Sequence, residues 1–288
     1  MQESTEKNNS DEDRSMLNAD QIRDFQQNGF LLGGRILEDD QVEELRVELD
    51  RVIAEGPEKP DLSQSKATRI ANLGGNLDTP VWQIVNMWQA SEAFRALTFH
   101  PIIVEEVAQL LDAEELRVWH DQVQYKPSGI GGITGWHQDS PAWPNIAPKT
   151  TQISSWVALD DVDESNGCMS MIQGSHKWGV CGHFLHQMRS RMQSFQDVPE
   201  SFESQELHVV LRPVKKGHVH YHHALTVHGS HQNTSGRKRR AIANHYMTEN
   251  TVYDETGGHL MKPFVTVAHG EKLVGDVFPL VWQKNGEV

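Results

Sequence analysis

From residue 115 to residue 247 the chain is a succession of short stretches separated by clusters of Gly, Pro, Asn and Asp. "LRVWHDQVQY", "TQISSWVAL", "GCMSMI", "ELHVVL", "GHVHYHHALTVH" and "RRAIANHYM" are rich in β-branched and aromatic residues. Apolar and polar positions alternate in the first of them, and period-2 patterning marks a strand with two different faces. Many short strands close together in sequence bury their apolar faces best as an antiparallel sandwich or barrel.

The region before residue 115 has a different periodicity. "LNADQIRDFQQNGF" reads as a helix with Asn18 as its cap, Gln21 at the reciprocal capping position, Ile22 and Phe25 on the apolar face and Gly29 as its end. "DDQVEELRVELDRVIAEG" reads as a second helix with Val42, Leu45, Leu49, Val52 and Ile53 on its buried side. A polar loop, "GPEKPDLSQSKATR", follows. Residues 80–112 read as helical again, broken at His100-Pro101. The fold expected is mainly β, with the N-terminal helices packed outside the strands. Residues 1–16 are expected to be a disordered polar tail and 17–288 a single domain.

Composition narrows the partners. The formal net charge of −14 argues against nucleic acid or an anionic membrane surface. No apolar run is long enough for a membrane helix, and the N-terminus lacks the apolar core of a signal peptide. Two cysteines, Cys168 and Cys181, do not make a disulfide framework. A cytoplasmic protein acting on a small molecule is expected; the composition leaves its oligomeric state open and is compatible with a monomer.

Histidine is abundant, with 16 in 288 residues, which makes a metal site worth seeking. "TGWHQDSPAWP" holds one His-x-Asp pair, His137 and Asp139. Residues i and i+2 of a strand point to the same side, so the pair can present two ligand atoms together. Two histidines and a carboxylate on one face of an octahedron are the usual holder of non-haem Fe(II) with open positions. His269 and Glu271 form a similar pair but have no histidine after them to complete a triad. The third ligand has six candidates: His218, His220, His222, His223, His228 and His231. His228 is favoured because it stands at a strand end before Gly229, which lets the backbone turn close to a site. His218, His220 and His222 share one strand face and read as a solvent-facing or cross-strand row, or as part of a zinc site. His223 points the other way and could line a pocket.

Several spaced segments together resemble the phytanoyl-CoA dioxygenase family of Fe(II)/2-oxoglutarate-dependent oxygenases. They are "ADQIRDFQQNGFLL", "WHQD" at 136–139, "WVALDDVDESNGCMSMIQGSH" at 156–176 and "VHGSHQNTSGRKRRAI" at 227–242. They occur in the family's order over roughly residues 18–250. The resemblance implies a double-stranded β-helix, the jelly-roll or cupin-like barrel, with iron at its mouth. It implies His137, Asp139 and His228 as iron ligands and Arg239 as the partner of the distal carboxylate of 2-oxoglutarate. A guanidinium fork suits that carboxylate because it binds it bidentately and keeps its charge. Ser230 matches a hydroxyl on the same carboxylate. Gln138 and Trp156 match positions lining the cosubstrate pocket, and Gln124 an amide beside it. Arg237 and Lys238 read as a solvated turn, and Asn233 and Asp160 as turn-shaping residues.

The implied reaction consumes 2-oxoglutarate and O₂, releases succinate and CO₂ and hydroxylates a small organic metabolite. The presence of Asp139 separates the chain from the halogenase branch, where a small residue stands there. Gln122 and His120 share the strand face of Gln124 and are expected to reach substrate, with Trp143 at the mouth. The acidic surface does not suggest an acyl-CoA. "SPAWPNIAP" replaces the longer signature of the ectoine hydroxylases. Two rival readings are a non-catalytic jelly-roll protein that binds metal or ligand, and a zinc hydrolase built on His218 and His220.

Overall fold

The computed structural model describes residues 16–55, 69–73, 77–192, 198–202 and 205–286. All but the last residue of the expected tail, and all but the last residue of the 56–69 loop, lie outside the described residues.

Helix α1 (Ala19–Asn28) starts where its cap requires. The Asn18 side chain accepts from the Asp20 and Gln21 backbone N–H groups, and Gln21 accepts from the Asn18 N–H. It ends at Gly29, whose φ of 83° and tight approach to His176 and Thr226 leave no room for a Cβ. Strand β1 (Phe30–Arg35) follows, then α2 (Asp39–Glu55), β2 (Arg69–Asn72) and β3 (Trp82–Val85). Next come α3 (Met87–Ala90), α4 (Glu92–Thr98), α5 (Pro101–Leu111), β4 (Glu115–Lys126) and β5 (Thr134–His137). The middle of the chain holds β6 (Ile146–Ala147), β7 (Gln152–Ala158), β8 (Met169–Ile172), α6 (Gly182–Met192), β9 (Ser201–Phe202) and β10 (Gln205–Glu206). It closes with β11 (Val209–Arg212), β12 (His218–His223), β13 (His228–Ser230), β14 (Arg239–Thr248), β15 (Val252–Tyr253) and β16 (Leu280–Gln283).

Two readings of the N-terminal third need correction. Trp82–Val85 is a strand, not the start of a helix, because its β-branched residues pair with the edge of β4. Ile53 is exposed, since the buried stripe of α2 ends at Val52.

The fold is a jelly roll. One sheet has the order β1-β12-β7-β14-β4-β3-β2, with β16 also on β4, and the other β11-β8-β13-β5. Their pairings are antiparallel. The outer face of the large sheet, including Val123, Val157, Val219, Tyr221 and Ile242, buries against α1, α2, α4 and α5. Its inner face follows from alternation. Register sets His222, Ser154, His245 and His120 in one row across β12, β7, β14 and β4. The next row holds His220, Trp156, Ala243 and Gln122, and Arg239 faces Lys126 at the far end. Ala241 and Ala243 pack there with Trp156, Met169 and Met171. No helix among the described residues is long and apolar enough to cross a membrane.

Asp121 points to the outer face and is fully buried against α3. Its Oδ2 accepts from the Trp88 N–H at 2.9 Å. Burial raises its pKa from 3.8 to about 8. The folded chain therefore holds a proton that the unfolded chain releases near pH 4. Stability falls by about 1.4 kcal/mol per pH unit as pH rises between those two values, then levels off. Asp121→Asn keeps the acceptor for Trp88 and removes the slope. Urea midpoints are expected to favour the variant increasingly from pH 5 to pH 8, and parallel pH profiles would refute a buried neutral acid.

Candidate active site

β5 and β13 are neighbours in the small sheet, and their register sets His137 directly opposite His228. Their rings lie 4.2 Å apart. Asp139 follows two residues after His137, beyond the end of β5, and extends between the two rings. One ligand atom each from His137, Asp139 and His228 lies within 4.8 Å of the others, and no other such group of donors occurs among the described residues. Asp139 Oδ1 is 3.5 Å from His137 Nε2 and 3.7 Å from His228 Nε2.

The surroundings orient each donor. His137 Nδ1 lies 2.8 Å from the Gly135 carbonyl and His228 Nδ1 2.9 Å from the Thr226 carbonyl. A ring that donates from Nδ1 turns its Nε2 lone pair to the centre. Asp139 Oδ2 accepts from Ser154 Oγ at 2.8 Å and from His222 Nε2 at 3.1 Å, which leaves Oδ1 for the centre. Ser154 Oγ in turn accepts from His245 Nδ1 at 2.7 Å. Burial alone would raise the Asp139 pKa, but His228, His137 and His222 hold it well below the carboxylate range. Burial pushes His228 down to about 3, so its imidazole is neutral at neutral pH. For His137 the downward push of burial is outweighed by Asp139, and its pKa rises.

His222 was legible as one of six candidates for the third ligand and as one of a row of three histidines. That row is not solvent-facing: His220 and His222 are buried inside the barrel, because the interior face of β12 carries them. His220 Nε2 takes a hydrogen bond from Arg212 Nε at 3.1 Å, and His218 Nδ1 faces the Lys216 carbonyl. Neither belongs to a metal-binding group among the described residues, so the zinc reading of this row fails. His222→Phe is expected to weaken Fe(II) binding about tenfold, as loss of a group that orients a ligand typically does. Loss of iron as complete as in His137→Ala would instead make His222 a ligand.

Arg239 is the second element of the site. Its guanidinium is buried, lies 5.0 Å from the Trp156 ring centre, and none of its three nitrogens has a hydrogen-bond partner among the described residues. Burial lowers its pKa only to about 10, so it stays charged. Lys126, its register partner on β4, is also buried. Lys126 Nζ donates to Ser230 Oγ at 2.6 Å and to the carbonyls of Ser230 and His231. Burial and the nearby Arg239 hold the Lys126 pKa well below its ordinary value. Two buried basic groups that no carboxylate pairs with among the described residues form a socket for an anion. The sequence reading missed Lys126, although alternation from Gln122 and Gln124 places it on the same face. Arg240 points outward to Asp160, which also pairs with Arg46.

The other candidate residues divide. Gln124 Oε1 accepts from Trp156 Nε1 at 3.4 Å, inside the barrel. Gln122, Gln124, His120 and Trp143 line a cavity of about 280 Å³ that also reaches His137 and Asp139. Gln138 does not face the socket. Its Nε2 donates to the Gly179 and Leu225 carbonyls and its Oε1 accepts from the Cys181 N–H, which turns the amide away from the barrel interior. His223 packs against His176 at 5.5 Å with Nε2 on the Thr150 carbonyl, away from the cavity. Gly229 runs within β13 instead of turning the chain.

The family model for phytanoyl-CoA dioxygenase matches residues 25–241. Peroxisomal phytanoyl-CoA dioxygenase of Rattus norvegicus is 26% identical over 252 residues, covering 85% of this chain and 73% of that protein. Ectoine dioxygenase of Bordetella parapertussis is 25% identical over 247 residues, covering 82% and 76%. The crystal structure of SnoK, a non-haem α-ketoglutarate-dependent carbocyclase from nogalamycin biosynthesis, superposes with a TM-score of 0.70 at 25% identity, covering 92% of this chain and 97% of SnoK.

Proposed function

The chain belongs to the phytanoyl-CoA dioxygenase family of Fe(II)- and 2-oxoglutarate-dependent oxygenases, and from that premise we propose which of its residues carry the reaction. His137, Asp139 and His228 hold Fe(II), and Arg239 holds the distal carboxylate of 2-oxoglutarate. The observation that carries this reading is the buried Arg239 guanidinium without a partner, in the same barrel as three convergent donors. The residues fit the cofactor pair: two imidazoles whose Nε2 atoms face an ionised carboxylate suit Fe(II), and an unpaired guanidinium suits a dicarboxylate.

Bound together, Fe(II), 2-oxoglutarate and O₂ supply the oxidising power, with 2-oxoglutarate leaving as succinate and CO₂. The chain's own residues bind and orient. Trp156 supports the guanidinium face, and Lys126 holds Ser230 so that its hydroxyl can reach the same carboxylate. Ser154 and His222 restrict Asp139 to one free oxygen. The cavity of Gln122, Gln124, His120 and Trp143 takes a small organic substrate, which is hydroxylated. We treat residues 17–288 as one oxygenase domain. Its two unpaired thiols support a reducing compartment such as the cytoplasm.

The test is an anaerobic titration of metal-free protein with Fe(II) and then 2-oxoglutarate, followed by the visible metal-to-ligand charge-transfer band. The band is expected in the wild type and absent in His137→Ala. Its absence from folded, iron-loaded wild-type protein would overturn the assignment.

A further inference from the structure

The cavity beside the three donors has walls that select the charge of what enters. Gln83 on β3 and Gln122 and Gln124 on β4 present three amides to it. Gln83 Nε2 donates to Gln122 Oε1, and Gln124 Oε1 accepts from Trp156 Nε1, so the two β4 amides are held by their oxygens. Their NH₂ groups make no other hydrogen bond among the described residues and remain as donors. His120 complements them. Its Nδ1 lies 3.3 Å from the Asp121 carbonyl, so Nε2 is the acceptor, and that atom is buried without a partner. Burial keeps this imidazole neutral. Trp143 stands edge-on to it at 5.7 Å, and His259 stacks on it at 5.4 Å.

Charge is confined to one end of this wall. Among the described residues it carries no Lys, Arg or Glu, and its charged groups are His137 and Asp139, both already assigned to iron. Away from that end a substrate carboxylate would lose its hydration without gaining a cation. An ammonium would find only a carboxylate that the metal occupies. The volume of about 280 Å³ lies at the small end of ligand pockets, which run from about 300 to 1,000 Å³. Flat aromatic and imidazole surfaces favour a ring lying against them.

We propose that the substrate is a small, neutral, hydroxyl-bearing ring compound. Its oxygens accept from the Gln122 and Gln124 amides, one hydroxyl donates to His120 Nε2, and a ring face lies on Trp143. The proposal rests on the oxygenase reading for the reaction, but the binding preference stands on the wall alone.

The experiment uses the full chain and two matched probe pairs: methyl shikimate against shikimate, and trans-cyclohexane-1,2-diol against trans-2-aminocyclohexanol. Affinities are measured by calorimetry with and without Fe(II) and 2-oxoglutarate. The neutral member of each pair is expected to bind at least about tenfold more tightly. Gln122→Leu and, as a second variant at a less buried position, Gln124→Leu are each expected to weaken methyl shikimate about tenfold, the equivalent of one hydrogen bond. Equal or tighter binding of the charged members, or no binding of either neutral probe, overturns the proposal. So does unchanged affinity in both variants. Failure of the oxygenase reading is seen separately, as a missing charge-transfer band before any probe is added.

Discussion

Arg239→Met is expected to raise the Kd for 2-oxoglutarate by about 100-fold or more while making the metal-free protein more stable. Losing a bidentate guanidinium–carboxylate contact removes two charge-assisted hydrogen bonds at once, each worth about 1.5–3 kcal/mol. In the absence of ligand the same guanidinium is a buried charge without a hydrogen bond, next to a second buried basic group, Lys126. An unpaired buried charge is destabilising, and a methionine of similar length fills the space without that burden. Arg239→Lys keeps the charge but loses the fork, so it should recover only part of the affinity. The two readouts are the 2-oxoglutarate dependence of the charge-transfer band and the thermal midpoint of the metal-free protein. A structural arginine would give the opposite pattern, a lower midpoint with unchanged 2-oxoglutarate affinity.

Asp139→Ala is expected to abolish the band and to reduce succinate formation by about 1,000-fold or more. The carboxylate is the one anionic donor among the three, and two imidazoles alone hold Fe(II) weakly without it. The variant also strands two buried donors, Ser154 Oγ and His222 Nε2, which costs about 1–3 kcal/mol each in folded stability. Asp139→Asn separates the effects. Its side-chain carbonyl can still accept from Ser154 and His222, so folding is retained while the charge is lost. Iron affinity measured by competition with a chelator should therefore fall in both variants, and the urea midpoint chiefly in the alanine variant. Wild-type iron affinity in Asp139→Asn would show that the carboxylate is not a ligand.

Much of the architecture was legible because it depends on local spacing. Asn18 with Gln21 marks a helix start through a hydrogen-bond geometry that spans three residues. Alternation in "RRAIANHYM" decides that Arg239 and Arg240 take opposite faces, and the structure has one inside and the other on Asp160. The same rule, carried two residues beyond Gln124, points at Lys126, which went unread because a lysine is ordinarily exposed. "VWQIV" was read as helix because a short apolar run has no decisive period, and only the open edge of β4 makes it a strand.

The sequence by itself determined most of the strands after residue 115, the opposite faces of neighbours such as Arg239 and Arg240, and a His-x-Asp pair with candidate third ligands downstream. These follow from the pleat, in which neighbours in sequence must point apart. Only the tertiary structure decided what meets across the barrel. The pairing of β13 with β5 sets His228 opposite His137, β7 and β12 bring Ser154 and His222 to Asp139, and Gln138 and His223 are turned to hydrogen bonds elsewhere. Those contacts join residues as many as 91 positions apart, as in the 137–228 pair, and the register between strands, which sets them, is a property of packing two sheets face to face and is written in no single segment.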